Sequence, residues 1–417
     1  MNRGERRRLG MILVVCVAVI SGALAASAED ALPTLSVAAS DQTLRLSVEL
    51  PKDAKVDTAV KAWQLVEVDH PGAKTPAELT VATAEDGSVD QGRLQLIAAV
   101  APRPGADSPR RFRLQPAEKP VEDAFRLEDI NETSLKLSEA AAPVFVYNHG
   151  TITDETVPEK DPRRSRSCYV HPLWGIGGEV LTDDFPRDHY HHHGLFWAWP
   201  HVEVDAKKYD LWLDRGIKQR FVGWIQKQAG PVSAVLAVEN GWFVDEKKVM
   251  TERVWLRSFK AEGDSRVLDV EIVIIPEDKP VTLRGAAGKG YGGLCVRYAV
   301  EKGKRPTITV PGGIIKEDLA NAPLAWCDMT GQFSSDETRS GATIFVSPNH
   351  PAYPPAFLTR HYGPICVGHP GSEAKTFPPG VPVRLNYCIW IHKDAVDLER
   401  LEKQYDAYKA ASAAEWK

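Results

Sequence analysis

Short alternating apolar runs, divided by turn residues, extend along most of the chain and constrain its fold most strongly. Runs such as TLRLSVEL (43–50) and RVLDVEIVI (266–274) place apolar side chains on one face of a strand and polar side chains on the other. A helical period of apolar residues is found near the C-terminus, over 395–416. The pattern therefore predicts an all-β protein with a C-terminal helix.

The spacing of these runs predicts two folded domains after an N-terminal segment. Residues 29–118 have short strands at the spacing of a small immunoglobulin-like β-sandwich, which we interpret as an accessory domain. A proline-rich, charged link at 116–122 follows. Residues 119–417 have a dozen or more long strands, which implies two large packed sheets together with the C-terminal helix.

The first residues, 1–28, have the pattern of a signal peptide. Four arginines precede an apolar run from Leu9 to Leu24, and Ala26-Ser27-Ala28 fits a cleavage site. The run is shorter than the ~20 residues that a membrane span needs. We therefore expect an exported protein, periplasmic or extracellular, with no membrane attachment after cleavage.

Net charge and motifs exclude several classes of protein. Cleavage of 1–28 removes four basic residues and one acidic one, which takes the formal net charge from −5 to −8. An acidic chain without a basic run is a poor candidate for binding nucleic acid. The segment GKGYGG (288–293) is followed by no helical pattern, so it is no nucleotide loop. The five cysteines left after cleavage form no CxxC motif and are expected to be mostly buried thiols, with one or two bridges possible.

The stretch TDDFPRDHYHHHGLFWAW (182–199) is the strongest candidate for a functional site. Four of the twelve histidines lie within five positions of one another, and two adjacent aspartates precede them. A strongly apolar run follows. A loop of titratable groups held by a buried strand is typical of a functional site.

The chemistry of the histidines is open at this level. If the segment is extended, His189, His191 and His193 share one face and can hold a divalent metal ion. The imidazoles can equally serve as acid–base or hydrogen-bonding groups in a metal-free sugar site, or have structural roles. Trp197 follows on the same strand, where it can stack on a sugar ring or pack in the core.

Other polar residues are candidates on different grounds. Glu252 lies between Met250 and Val254 on an apolar strand face, so it is either a general acid or base with a raised pKa or half of a buried ion pair. Arg297 is a candidate partner for it or a substrate clamp. A further set of polar side chains lies in predicted loops or just upstream of the histidines: His171, His350, Arg360, His361 and Tyr362.

Several motifs in order resemble one known family. YVHPLW (169–174), LTDDFP (181–186), DHYHHHGLFWAW (188–199), GGLCVR (292–297) and the segment 347–363 resemble the PmoA-like family, which carries the label methane oxygenase PmoA. The resemblance covers about 142–393. It implies a β-supersandwich like that of galactose mutarotase and related carbohydrate-active proteins, and a setting of exported polysaccharide degradation. Methane oxidation is not implied here, because no membrane span follows the N-terminal segment.

The resemblance singles out ten of these positions: His171, Asp184, His189, His191, His192, Trp197, Arg297, His350, Arg360 and Tyr362. His193 departs from the family pattern, in which arginine is frequent at this position. The departure argues against a mechanism that requires three histidines in a row.

Together the residues and the resemblance predict an exported protein that acts on a sugar or oligosaccharide by acid–base chemistry, as a hydrolase, lyase or epimerase. The expected catalytic residues are His191, His192, Asp184 and Glu252. The expected substrate-binding residues are His171, Trp197, Arg297, His350, Arg360, His361 and Tyr362. One alternative is a metal-dependent oxidoreductase or hydrolase with a divalent ion on His189, His191 and His193, and another is a non-catalytic glycan-binding envelope protein.

Overall fold

The structure, a computed structural model, describes residues 33–57, 59–60, 62–105, 107–301, 303–334 and 338–417. The predicted signal peptide lies outside the described residues. Within them the regular secondary structure is almost entirely β-strand, and the single α-helix, α1, is Leu398–Ser412. These features confirm the all-β prediction and the C-terminal helix. In this part of the chain, no helix has the length and apolarity to cross a membrane.

The first strands are β1 (Leu35–Val37), β2 (Leu44–Glu49), β3 (Trp63–Glu67), β4 (Lys74–Thr83), β5 (Val89–Val100), β6 (Arg110–Pro116), β7 (Phe125–Asn131), β8 (Ser134–Glu139), β9 (Ala142–Asn148), β10 (Ile152–Thr153), β11 (Ser165–Arg166), β12 (Tyr169–Leu173), β13 (Leu195–Ala198), β14 (His201–Val204) and β15 (Lys207–Tyr209). A short 3₁₀ helix, Pro162–Arg164, precedes β11. The later strands are β16 (Lys218–Ala229), β17 (Ser233–Val244), β18 (Lys247–Phe259), β19 (Ser265–Pro276), β20 (Val281–Arg284), β21 (Gly293–Arg297), β22 (Thr307–Val310), β23 (Gly313–Ile315), β24 (Ala322–Pro323), β25 (Trp326–Gln332), β26 (Arg339–Val346), β27 (Ala356–Thr359), β28 (Pro364–Gly368), β29 (Lys375–Phe377), β30 (Val383–Lys393) and β31 (Glu415–Trp416).

The N-terminal strands hydrogen-bond into one seven-stranded antiparallel sheet in the order β2-β5-β4-β3-β6-β1-β31. Alternate side chains of β3 point inward, so Trp63 and Leu65 join the hydrophobic core of this sheet. The last member, β31, comes from the other end of the chain, and Leu35 pairs with Trp416. The two-domain division at residue 118 remains a prediction, but the sequence pattern did not indicate this return of the C-terminus to the first sheet.

The larger part of the chain is built on two nine-stranded antiparallel sheets. One, sheet A, has the order β24-β27-β28-β21-β13-β12-β9-β8-β7, and the other, sheet B, has the order β16-β17-β18-β19-β30-β26-β25-β22-β23. Their facing side chains form one continuous core. This is the two-sheet arrangement that the long strand pattern predicted. A four-stranded sheet, β15-β14-β20-β29, accompanies them.

One buried carboxylate connects the two large sheets. Glu252 of β18 is 0% exposed. Its Oε1 accepts hydrogen bonds from Trp197 Nε1 at 2.7 Å and Asn240 Nδ2 at 2.9 Å. Its Oε2 accepts from Trp242 Nε1 and Gln219 Nε2, each at 2.7 Å. Trp197 belongs to sheet A and the other donors to sheet B, so this single side chain fixes how the sheets are placed on each other.

The contacts of Glu252 contradict two predicted roles. Burial raises the pKa of Glu252, and the four N–H donors oppose that shift. Glu252 and Trp197 are each 0% exposed, with their polar atoms bonded to each other. Glu252 is therefore no catalytic acid or base, and Trp197 is no sugar-stacking surface, because neither side chain presents an atom to solvent.

The described cysteines are all buried and free, which confirms the expectation of buried thiols. Cys295 and Cys366 lie opposite each other on β21 and β28, and their sulfur atoms are 2.9 Å apart. Burial raises the pKa of the Cys295 thiol well above its ordinary value, and the neighbouring Cys366 adds to that effect.

The substitution Glu252→Gln tests the connection between the sheets. An amide places an N–H₂ group against two N–H donors, so we expect the free energy of unfolding to fall by about 2–4 kcal/mol. Urea unfolding followed by tryptophan fluorescence measures the change. Glu246→Gln is the matched control, because its side chain is 89% exposed and pairs only with Arg220; it should shift the stability by less than about 0.5 kcal/mol. Equal stability of the two variants would contradict this role for Glu252.

Candidate functional site

The histidine-rich loop is folded into turns rather than extended. The backbone N–H of His189 donates to Pro186 O at 2.8 Å, and that of His192 donates to His189 O at 2.9 Å. The rings of His189 and His192 lie parallel, 4.8 Å apart, and the ring of His191 stands across His192 at 4.7 Å. The extended arrangement that underlies the predicted three-histidine metal site is therefore wrong, because turns replace the alternation of a strand.

The base of the loop is closed by backbone hydrogen bonds. Phe185 N–H donates to His192 O at 3.1 Å, and Gly194 N–H donates to Asp183 O at 2.8 Å. Gly194 has a φ of +51°, and a Cβ at this position would lie 2.1 Å from Val170 O. Only glycine fits there. The close approach holds the loop against β12 and fixes the direction in which its side chains point.

Asp184 forms a buried group with Tyr169 and His193 below the loop. Tyr169 OH donates to Asp184 Oδ2 at 2.7 Å, and His193 Nδ1 lies 2.9 Å from Asp184 Oδ1. Burial raises the pKa of Asp184 to about 6. Burial also lowers the pKa of His193 well below its ordinary value, so this imidazole is neutral at pH 7, with its Nδ1 within hydrogen-bonding distance of the carboxyl group. His193 thus faces inward, away from the other histidines of the loop.

Phe185 marks this part of the backbone as strained. It has a φ of +46°, which a bulky side chain rarely adopts. Its ring packs edge-on against His193, with centroids 4.5 Å apart. Strain of this kind is concentrated at functional sites, where the surrounding structure holds it in place.

Arg297 is the centre of a second, more open group. Its Nη2 donates to both carboxylate oxygens of Asp188, at 3.1 and 3.2 Å, and its Nη1 lies 3.4 Å from His192 Nδ1. Its Nε is 3.8 Å from Asp183 Oδ2. The guanidinium also lies over the Tyr362 ring, 5.1 Å from its centroid. Arg297 therefore joins the histidine loop to the loop of Tyr362, which is far away in sequence.

These groups border an open cleft of about 1080 Å³. Tyr362 is 41% exposed in it, and its ring is stacked on His189 at 5.2 Å, with an angle of 11° between the planes. Since His189 is itself stacked on His192, two parallel imidazole rings lie in line with the half-exposed Tyr362 ring. The charged and polar residues that line the cleft are Thr156, Asp183, Asp184, Arg187, Asp188, Arg297, Glu301, Lys304, Arg305, His361 and Tyr362.

The carboxyl groups of the cleft differ in proton affinity. Burial raises the pKa of Asp183, as it does that of Asp184, although the charge of Arg297 opposes the shift at Asp183. Burial acts in the same direction on Asp188, but His189 and Arg297 outweigh it and lower the pKa of Asp188. The cleft thus holds one carboxyl group, Asp184, that is partly protonated near pH 6, and another, Asp188, that is ionised already at a lower pH.

The predicted catalytic histidines lie behind the cleft rather than in it. Burial lowers the pKa of His191 to about 3 and that of His192 well below its ordinary value. Both are therefore neutral imidazoles at pH 7, and neither lines the cleft. Of the four predicted catalytic residues, Asp184 alone is among the described residues that line it.

The predicted substrate-binding residues are divided. Arg297, His361 and Tyr362 line the cleft, and His361 Nδ1 is 2.6 Å from Asp318 Oδ1. His350 is 4% exposed, its Nε2 is 3.2 Å from Tyr387 OH, and burial lowers its pKa to about 4. His350 is therefore a core residue, which contradicts its predicted role.

Arg360 and His171 also lie outside the cleft. Arg360 donates from Nη1 to Leu319 O and Thr359 O, so its guanidinium holds two loop carbonyls. His171 Nδ1 is 3.1 Å from Thr182 Oγ1, and burial lowers the pKa of this imidazole. Both side chains support the loops that carry the cleft.

Sequence reasoning missed the importance of Asp183 and Asp188. Both flank the histidines and were visible as acidic neighbours, but their common contact is Arg297, which follows Asp188 by 109 positions. Among the residues that the structure describes, no group of three or more His, Cys, Asp or Glu side chains is placed to hold a metal ion.

Comparisons with known proteins give a family but no activity. A family model described as a family of unknown function (DUF6807) matches residues 134–406. No protein with a curated description matches the chain. Among solved structures, a 4-alpha-glucanotransferase from Thermococcus litoralis is similar at 10% sequence identity with a TM-score of 0.20, and the match covers 66% of this chain and 40% of that one. A likeness this low carries no functional inference.

The raised pKa of Asp184 predicts a pH dependence of stability that Asp184→Asn removes. Between the usual aspartate pKa of about 3.9 and the folded value of about 6, only the folded chain keeps this proton. The contribution to stability is present at acidic pH and is lost as the pH rises through 6. The difference in unfolding free energy between wild type and Asp184→Asn should therefore change by up to about 2 kcal/mol from pH 4 to pH 7 in urea unfolding.

Asp278→Asn is the control for this measurement, because that side chain is 77% exposed. Its difference from wild type should stay nearly constant over the same pH range. If the curves of wild type and Asp184→Asn run parallel from pH 4 to pH 7, the Asp184 carboxyl has no raised pKa.

Proposed function

The chain belongs to the DUF6807 family of unknown function, and we propose that it is a carbohydrate-active enzyme that acts on a sugar or oligosaccharide in the cleft around Arg297. One observation carries the proposal. Asp184 and Asp188 line the same open cleft with pKa values shifted in opposite directions, beside an exposed aromatic face. Carboxyl groups with separated proton affinities are the usual means by which one site supplies both an acid and a base.

Asp184 is the proposed proton donor. Its pKa of about 6 leaves it protonated in mildly acidic solution. Its side chain is 12% exposed, which is enough to reach the cleft while remaining mostly desolvated. Tyr169 and His193 fix the orientation of the carboxyl group, so they are positioning residues. In this proposal Asp184 transfers the proton itself.

Asp188 is the proposed ionised partner. Its side chain is 47% exposed, and the single nitrogen Nη2 of Arg297 donates to both of its oxygens. In this position the carboxylate can accept a proton from water or stabilise positive charge at the anomeric carbon. Arg297 is occupied by this contact, so its task is to hold Asp188 ionised and in place.

Among hydrolase, lyase and epimerase, the pair of carboxyl groups favours glycoside hydrolysis. Asp184 gives its proton to the glycosidic oxygen as the bond to the anomeric carbon breaks. Water adds to that carbon and passes a proton to Asp188, so that the products are two free sugars. Asp188 then releases this proton and Asp184 takes one up from solvent, which restores both groups with no net change in protons. Tyr362 supplies the stacking face for the ring, the role predicted for Trp197.

The predicted signal peptide supports an exported location. An exported enzyme meets soluble or cell-wall polysaccharides rather than cytoplasmic metabolites. We therefore propose glycans outside the cytoplasm as the pool of substrates.

The substitutions Asp184→Asn and Asp188→Asn test the chemistry. Each substitution should lower kcat/KM by about 10²–10⁴-fold for the oligosaccharides that the wild type cleaves, which is the usual size of an acid or base contribution. In wild type, kcat/KM should fall as the pH rises above about 6, because Asp184 then loses the proton that it donates. The measurement is reducing-sugar release across a panel of oligosaccharides, with Asp278→Asn as the control variant.

Two results would contradict the proposal. One is full activity in Asp184→Asn, and the other is a wild-type protein that neither binds nor cleaves any glycan of a broad panel. Saturable binding without any chemical change would instead establish a glycan-binding protein.

The substitution Tyr362→Ala tests the stacking face. Loss of the exposed ring should raise KM roughly tenfold, which corresponds to about 1.4 kcal/mol, with little change in kcat. Tyr362→Phe keeps the face and should behave as wild type. Steady-state kinetics on the best substrate distinguishes the two variants, and an unchanged KM in Tyr362→Ala would place the sugar elsewhere.

A further inference from the structure

The cleft continues beyond Arg297 into a second pocket of about 290 Å³. The two cavities share three lining residues, Val300, Lys304 and Arg305. They are therefore neighbouring parts of one depression in the surface. A chain molecule bound over Tyr362 and Arg297 can extend into the second pocket.

The second pocket is positively charged. Lys304, Arg305 and Arg339 line it, and none of its described lining residues is acidic. The cleft beside it differs, because there four acidic side chains face four basic ones. Lys304 and Arg305 line both parts, and the described acidic lining residues all lie on the cleft side of the depression.

Two of the three cations contact uncharged oxygen atoms of described residues. Arg305 Nη2 donates to the backbone oxygen of Lys316, and Arg339 Nη2 donates to Thr307 Oγ1 at 3.0 Å. Within the described ranges, none of the three forms an ion pair. Other surface cations of the chain are paired in the usual way, such as Lys247 with Asp278. Unpaired cations gathered in one concavity attract an anion, and the walls of a pocket strengthen that attraction.

The same pocket has an apolar face. Phe333 lines it, and its ring is packed on Tyr298 with centroids 6.2 Å apart. Gln332 adds an amide that can bond a hydroxyl. An aromatic face, an amide and three cations together suit a ring that carries both hydroxyl groups and a negative charge.

We propose that the substrates are anionic oligosaccharides, with a uronate carboxylate or a sulfate ester held by Lys304, Arg305 and Arg339. This inference rests on the proposed function and specifies its substrate class. The local positive charge is unexpected in a chain with a formal net charge of −5, and it attracts a polyanion to the one part of the surface where cleavage takes place.

Isothermal titration calorimetry tests the inference with three oligosaccharides of equal length: an oligogalacturonate, a sulfated galactan fragment and a neutral galactan fragment. We expect wild type to bind at least one anionic oligosaccharide roughly tenfold or more tightly than the neutral one, a preference equal to about 1.4 kcal/mol. That preference should shrink as salt is added, since salt screens charge. The tighter of the two anionic arms identifies carboxylate or sulfate as the recognised group.

The double substitution Lys304→Gln, Arg339→Gln should reduce the affinity for the anionic oligosaccharide roughly tenfold and that for the neutral one far less. The matched control is Lys247→Gln, Lys279→Gln, which removes the same charge from exposed side chains elsewhere and should leave both affinities unchanged. Circular dichroism confirms that each variant is folded.

The outcomes separate this inference from the proposed function. Equal affinity for neutral and anionic oligosaccharides, or a preference that survives the double substitution, overturns the substrate class. If the wild type cleaves the neutral oligosaccharide as well as an anionic one, and Asp184→Asn cleaves neither, the proposed function stands without the anionic substrate class. If wild type neither binds nor cleaves any of the three oligosaccharides, both fail.

Discussion

The desolvated carboxylate of Glu252 is the contact on which the two large sheets depend. Four N–H donors surround it, and Trp197 reaches it from the opposite sheet. A charge with no solvent and no cation beside it is stable only when every lone pair is occupied, which restricts the sheets to one relative placement. Gln219 also accepts from Arg166 Nη2 at 2.6 Å, which extends the network to the strand that precedes β12. The rigid frame behind the cleft is therefore held together by polar contacts as well as by its apolar core.

Burial also sets the protonation states of the site. It keeps the imidazoles of His191, His192 and His193 neutral, while it favours the protonated form of Asp184. The imidazoles of this stretch thus add little charge to the cleft, and its charged groups are the acidic and basic side chains that line it. The stacked rings behave as a firm support beneath Tyr362. In this arrangement the histidines position the site and the carboxyl groups carry its chemistry.

Local patterns allowed the fold class to be predicted, because alternation within a strand is a property of neighbouring residues. The segment 182–199 was identified on the same basis, and Asp184, Arg297 and Tyr362 do meet at one cleft. The roles of Trp197 and Glu252 could not be read from the sequence, since an indole N–H or a carboxylate on an apolar face has the same pattern whether it faces a cavity or a buried partner. The basic pocket was missed because Lys304 and Arg339 come together only in the folded chain. The resemblance to the PmoA-like family and the export of the protein remain predictions.

The pairing of β1 with β31 has a consequence for the order in which the molecule folds. Leu35 meets Trp416, so an edge of the first sheet receives its partner strand from the end of the chain. Closing so long a loop makes this a late step. Until then, the edge of β1 stays open to other extended chains, and truncation by even a few C-terminal residues would leave it so.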